Sequence, residues 1–303
     1  MILDERAVHD LLGMEELIPA MAKAMADLSS GKVVQPGRVM LPVAEHQGFL
    51  GLMPAYGGAL GAKLVAFYPN NQGIPSHHAM IVLFKPETGE PLVTMDGRLI
   101  TEMRTAAASA VATQLLARPD AAVLGILGSG VQAKSHLAAL RHVRSFKEVR
   151  VWSPHNAPAF AERHGVKAVA SAADAVRGAD VVVVAVNATT PLLHGSWLSR
   201  GAHVNAIGAT RPSWRELDDD LVTTVRVFVD SREAALRESG DVIAAKSELT
   251  EIGAVVAGTA PGRRNEQEIT LFKSVGVAVE DVAAAALVLG LGVRDSGLDD
   301  KLS

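Results

Sequence analysis

Apolar residues at Met14, Leu17, Ile18, Met21, Met25 and Leu28 recur at the spacing that lays one stripe along a helix. This predicts a helix over 14–28, with Gly31 as its stop. Extended runs broken by Pro and Gly follow at 39–43, 49–53, 63–68 and 80–84. Pro86-Glu-Thr-Gly89 reads as a turn, so 80–84 and 92–95 predict a hairpin in an antiparallel sheet. An Ala-rich helix is predicted over 101–118, ended by Pro119. The pattern then alternates. Apolar strands at 122–127, 149–152, 181–186, 204–207 and 225–229 are interleaved with helices that include 131–143 and 158–164. Such alternation predicts an α/β fold with a doubly wound parallel sheet, helices on both faces. A last Ala-rich helix, 276–291, follows the α/β stretch and is expected to return to the first domain. The expected division is therefore discontinuous, 1–115 with 276–303 against 116–275.

Composition narrows the function classes. The chain has 303 residues, room for about two domains. Its net charge of −4 excludes the basic balance of a nucleic-acid binder. Hydrophobic residues at 49% against 20% charged argue for a packed core. The longest apolar run, 282–293, is too short to span a bilayer, so no membrane partner is expected. There is no cysteine, which removes thiolate metal sites and a cysteine nucleophile and fits a cytoplasmic protein. The acidic start, Met-Ile-Leu-Asp-Glu-Arg, is unlike a signal peptide. His77 and His78 lack metal-ligand spacing, so no metal is expected.

The sharpest local motif is Gly128-Ser-Gly130-Val-Gln-Ala133, placed between an apolar strand and a helix. That context is the dinucleotide fingerprint of a Rossmann domain. Gly128 serves the tight turn and Gly130 the approach to pyrophosphate, with Ser129, Val131 and Gln132 at the helix start. The second strand ends Trp152-Ser153-Pro154-His155-Asn156, without the acid that reads the ribose of NAD. Ser153, His155 and Asn156 are the candidates to meet a 2′-phosphate. NADP is therefore favoured and NAD is the alternative. Val186, Asn205, Ile207 and Gly208, at or near the ends of later strands, complete the expected coenzyme-binding set.

Three cations stand in apolar surroundings: Arg38, Lys63 and Arg104. A buried cation needs a partner or a ligand, and two Arg with one Lys would suit a carboxylate substrate. The acidic run Asp218-Asp-Asp220 reads mostly as a solvated helix start, from which one carboxylate could serve as a proton carrier.

Taken together, these motifs resemble the ornithine cyclodeaminase/mu-crystallin family. The marks are Gly51-Leu-Met-Pro-Ala-Tyr56, Lys63-Leu-Val, Met95-Asp-Gly, Arg104-Thr-Ala-Ala, Gly128-Ser-Gly-Val-Gln-Ala133, Asn205-Ala-Ile-Gly-Ala209, Arg215-Glu-Leu-Asp218, Glu238-Ser-Gly-Asp241 and the segment from Phe272-Lys to Glu280-Asp281. The resemblance implies a homodimer whose discontinuous domain binds substrate and dimerises. It implies substrate residues at Arg38, Lys63 and Arg104, and a catalytic acid aligned to Asp220, with Asp218 as rival, acting beside Lys63. The chain is most similar to the ketimine-reductase branch. It lacks the Asp-Cys-Pro stretch that marks the cyclodeaminases. The implied reaction is reduction of Δ1-pyrroline-2-carboxylate or Δ1-piperideine-2-carboxylate to L-proline or L-pipecolate. Ornithine cyclodeamination with catalytic NAD and amino-acid (alanine) dehydrogenation are the alternatives, and a non-catalytic NADPH-binding protein is a third.

Overall fold

The computed structural model describes residues 1–296, with side chains to residue 290; the final stretch of the expected 276–303 segment lies outside the described residues. The chain forms two compact units, one of Met1–Arg104 with the segment beginning at Val277, the other of Thr105–Gly276.

The first unit is built on six strands: β1 (Ile2–Leu3), β2 (Val39–Val43), β3 (Gly48–Tyr56), β4 (Leu60–Phe67), β5 (His77–Phe84) and β6 (Pro91–Asp96), ordered β1-β6-β5-β4-β3-β2. All neighbours are antiparallel except β1, which adds parallel to β6. The predicted hairpin is β5–β6. The strands β1 and the helix Glu5–Leu11 were not anticipated: two paired residues and a seven-residue helix are too short for a periodic signal. Period-two alternation sorts the sheet's faces. Met53, Ala55, Lys63, Val65, Ile81, Leu83, Val93 and Met95 point to the buried side. The helix Ala278–Ser296 lies against β3, β4 and β5 with Val282, Ala285 and Val288 buried, and the helix Met14–Ser29 packs on that helix with Leu17, Ile18, Met21 and Met25 buried. The backbone amide at Val279, in the first turn of the last helix, donates to Oε1 of Gln35 at 3.0 Å, which meets one of the donors every helix start leaves open.

The second unit carries eight parallel strands: β7 (Val123–Leu127), β8 (Glu148–Trp152), β9 (Lys167–Ala168), β10 (Val181–Val184), β11 (His203–Ala206), β12 (Arg226–Val229), β13 (Leu249–Glu251) and β14 (Thr270–Lys273). Their order is β13-β12-β14-β11-β10-β7-β8-β9. Alternation again decides what each face meets. Val182, Val184, Val204 and Ala206 join a core with Ala172, Val176, Leu221, Val222 and Val242 from helices on one side. On the other side Asn205 donates to Thr113 Oγ1 at 2.9 Å, and Thr113 belongs to the helix Arg98–Leu116. Both faces being covered, the strands read as unbroken apolar runs, as in Val181–Val184. The sheet is the Rossmann-type parallel sheet that the alternation predicted. Its strand β14 was missed, because Thr270–Lys273 is short and ends in a buried lysine.

Candidate active site

In the first unit, the two cations singled out for burial come together. Lys63 is 2% and Arg104 5% exposed. Both meet carboxylates on the first turn of the helix Ala278–Ser296. Lys63 Nζ lies 2.7 Å from Asp281 Oδ2 and donates to Thr101 Oγ1 at 3.4 Å. Arg104 donates through Nε to Asp281 Oδ1 at 2.9 Å and through Nη1 to Glu280 Oε2 at 2.6 Å. Thr101 in turn donates to the Gly97 carbonyl at 2.7 Å, fixing the acceptor it offers Lys63.

Electrostatics divides labour within this cluster. Burial lowers the Lys63 pKa to about 8; the charges of Arg104 and Arg38 push the same way and Asp281 opposes them. Burial works against ionised Asp281, but Arg104 and Lys63 outweigh it and hold the carboxyl below its usual range. Asp281 is therefore a fixed anion and Lys63 a cation that can release a proton near neutral pH. Arg38, half-buried in the chain just before β2, is close enough for its charge to bear on Lys63.

Asp220 belongs to the second unit, exposed on the first turn of the short helix Asp219–Thr224. Its rival Asp218 is occupied as the cap of that helix. It accepts from the Leu221 amide at 2.9 Å and the Gly195 amide at 3.1 Å, with His194 Nδ1 at 3.2 Å.

The glycine loop of the second unit fits a dinucleotide. Gly128 has φ +117°, and a Cβ there would lie 2.2 Å from the Ala185 carbonyl oxygen, so only glycine makes this turn. A Cβ on Gly130 would meet nothing within 4 Å, which leaves open space against the backbone where a pyrophosphate needs it. The following helix, Val131–Val143, presents its amide end there. Gln132 Oε1 is shielded from solvent with no hydrogen-bond partner among the described residues, which fits a site for a polar ligand. Ser129 donates its hydroxyl to Ser153 Oγ at 2.8 Å, and the Asn156 amide donates to the same oxygen at 3.2 Å. His155 and Asn156 are exposed beside it, and no carboxylate occupies the end of β8.

Of the remaining coenzyme candidates, Asn205 has its side chain within the core, bonded to Thr113 and, at 3.3 Å, to His203. Val186, Ile207 and Gly208 follow the ends of β10 and β11. Gly208 is locked from below: its amide donates to both oxygens of Glu216, at 2.9 and 3.1 Å. Glu216 is wholly buried and paired with Lys273 Nζ at 2.5 Å. Asp241 accepts from the amides of Glu216 and Leu217 at 3.0 and 3.1 Å, and from Arg215 Nε at 3.1 Å. Three motifs far apart in sequence, around Arg215, Asp241 and Lys273, thus form one ionic network beneath the loop that follows β11.

Glu280 and Asp281 were not among the candidates. The signal was present, since two acids stand in Val-Gly-Val-Ala-Val-Glu-Asp-Val-Ala-Ala, surroundings as apolar as those that drew attention to the cations. Among the described residues no group of His, Cys, Asp and Glu could hold a metal ion, and no helix is long and apolar enough to cross a membrane.

The chain is 49% identical over 286 residues to ketimine reductase mu-crystallin of Macropus fuliginosus, covering 90% of each chain. Among solved structures, it resembles Thermococcus litoralis Δ1-pyrroline-2-carboxylate reductase in complex with NADH and L-proline, with a TM-score of 0.92 and 38% identity over 97% of this chain and 98% of that one. It also resembles an archaeal alanine dehydrogenase dimer with bound NAD, with a TM-score of 0.91 and 34% identity over 97% and 96% of the two chains. Residues 1–291 match the ornithine cyclodeaminase/mu-crystallin family, and the chain belongs to that family.

Proposed function

We propose that this protein is an oxidoreductase that converts Δ1-pyrroline-2-carboxylate or Δ1-piperideine-2-carboxylate to L-proline or L-pipecolate, with NADPH as the preferred reductant. The observation that carries the reading is the Lys63–Asp281–Arg104–Glu280 cluster, in which a lysine with a pKa near 8 sits among fixed charges. Reduction of a C=N bond needs a hydride at carbon and a proton at nitrogen. The coenzyme, held by Gly128–Gln132, supplies the hydride when bound. This chain's own residues do the rest. Arg38 and Arg104 hold the substrate carboxylate, which fixes the ring. Lys63 keeps the imine nitrogen protonated, the form that accepts a hydride, and Asp281 maintains Lys63 as the cation. Asp220 is assigned the second proton-carrying role by its match to the family acid.

NADPH preference rests on Ser153. Its oxygen already accepts two hydrogen bonds, so what its hydroxyl has left is its proton, which suits an acceptor-rich phosphate. His155 and Asn156 flank it, and no carboxylate is there to repel the charge.

The protein is also proposed to act as a homodimer through the outer face of the first unit's sheet. Val39, Leu41, Leu50, Leu52, Tyr56 and Met80 are all exposed there, and β2–β3 pairing sets Leu41 opposite Leu50 and Val39 opposite Leu52. A continuous apolar face of this kind marks an interaction surface.

The deciding experiment follows NADPH and NADH oxidation with each ketimine acid. Turnover is expected with NADPH, and no turnover with either ring size defeats the reading. A second reading, alanine dehydrogenase, is favoured by the likeness to the archaeal enzyme; reductive amination of pyruvate with ammonia in place of ketimine turnover would establish it. L-Proline formed from ornithine without added coenzyme would establish a cyclodeaminase.

A further inference from the structure

We propose that His77 is a substrate-recognition residue whose Nε2 donates a hydrogen bond to the carboxylate of the bound imino acid; this rests on the functional reading above. The β4–β5 register pairs Lys63 with Ile81 and Phe67 with His77. Alternation then sets Lys63, Val65, Phe67, His77, Ala79 and Ile81 on one face of the sheet, the face that carries the ionic cluster. Thr101, which accepts from Lys63, is tied to Gly97, and the Gly97 amide donates to the carbonyl of Ala79, two residues from His77 on the same strand. The imidazole meets the ring of Phe67 edge-on, centroids 6.1 Å apart.

His77 Nε2 is shielded from solvent and has no hydrogen-bond partner among the described residues. Leaving a buried polar atom unmet costs about 1–3 kcal/mol, so such an atom calls for an explanation. The charges of Lys63, Arg104 and Asp281 all reach this ring. Burial, with help from the two cations, lowers its pKa to about 4, so the ring is neutral at neutral pH and carries one N–H. The functional reading seats the substrate carboxylate beside Arg104, and an anion there needs a hydrogen-bond donor, which the carboxylates of Asp281 and Glu280 cannot provide. A neutral donor adds recognition there without adding to the repulsion between Lys63 and Arg104. The next residue, His78, is exposed on the opposite face and serves as the control.

The experiment compares His77→Leu, His77→Gln and His78→Leu with the unaltered protein in steady-state assays and thermal melts. Leucine at 77 removes an unmet nitrogen, so Tm is expected to hold or rise. The KM for the ketimine acid is expected to rise about tenfold, the equivalent of one lost hydrogen bond. The KM for NADPH should stay put. His77→Gln, which keeps a donor, should restore most of the affinity, and His78→Leu, on the outer face, should leave the KM for the ketimine acid unchanged. A ketimine KM unchanged in His77→Leu, or a fall in Tm with both KM values rising together, overturns the proposal and leaves the functional reading standing. An unaltered protein that neither turns over a ketimine nor binds L-proline overturns both.

Discussion

Asp281 Oδ2 lies 2.7 Å from Lys63 Nζ, and the same carboxylate accepts from Arg104 through its other oxygen. One buried anion therefore serves two buried cations, and its removal affects both their burial and the proton affinity of Lys63.

In Asp281→Asn, Lys63 loses the charge that supports its protonated form, so its pKa moves below about 8. A proton donor is active below its pKa. The fall in kcat/KM on the alkaline side should therefore begin at lower pH than in the unaltered enzyme. Uncompensated charge should also lower stability by about 3–5 kcal/mol, measured by urea unfolding. An alkaline limb that does not move would remove Lys63 as the titrating group.

Lys63→Met should lower kcat by roughly 10²–10⁴-fold, the usual size of a lost general acid. Coenzyme affinity, measured by NADPH fluorescence, should change little, because the variant leaves Gly128–Gln132 intact.

The two glycines of the loop should respond differently. Gly128→Ala drives a Cβ into the Ala185 carbonyl at a left-handed φ, so it should cost stability as well as coenzyme binding. Gly130→Ala has open space in the absence of ligand. Its melting temperature should match the unaltered protein while its KM for NADPH rises about tenfold or more.

Lys273→Met leaves Glu216 buried without its cation and should cost about 3–5 kcal/mol. The double variant with Glu216→Leu should recover much of that loss in stability but not coenzyme affinity, since the Gly208 amide loses its acceptor. A double variant as unstable as the single one would count against the pairing.

Stability should fall in mild acid. His136 and His203 are wholly buried and held neutral, burial lowering their pKa values to about 4 and about 3. Unfolded histidine titrates near 6.5, so below that pH the unfolded chain binds more protons than the folded one. Each histidine then removes about 1.4 kcal/mol per pH unit from about pH 6.5 down to its folded pKa. His136→Gln should flatten the dependence of unfolding free energy on pH between 7 and 5, measured against the unaltered protein (the window lies above both folded pKa values).

The parallel sheet was legible because strands covered on both faces spell unbroken apolar runs, and the glycine loop because its backbone tolerates so few alternatives. Lys63 and Arg104 were legible for the converse reason, being charges in apolar company. Glu280 and Asp281 are likewise charges in apolar company, but Asp281 lies 177 positions beyond Arg104, and nothing local to either residue marks the other as its counterion. His77 lacks metal-ligand spacing and so draws no functional reading from the sequence. What sequence could not reveal was that Nε2 ends up shielded and unmet, a property of the β4–β5 register rather than of any local pattern.

The return of the last helix to the first unit has a consequence for biosynthesis. During translation Lys63 and Arg104 leave the ribosome long before Glu280 and Asp281, with the whole 105–276 segment made in between. Throughout that interval the nascent first unit cannot bury its two cations without cost. Full compensation of both cations waits for Glu280 and Asp281, so the second unit, made before those two acids, has the opportunity to fold first.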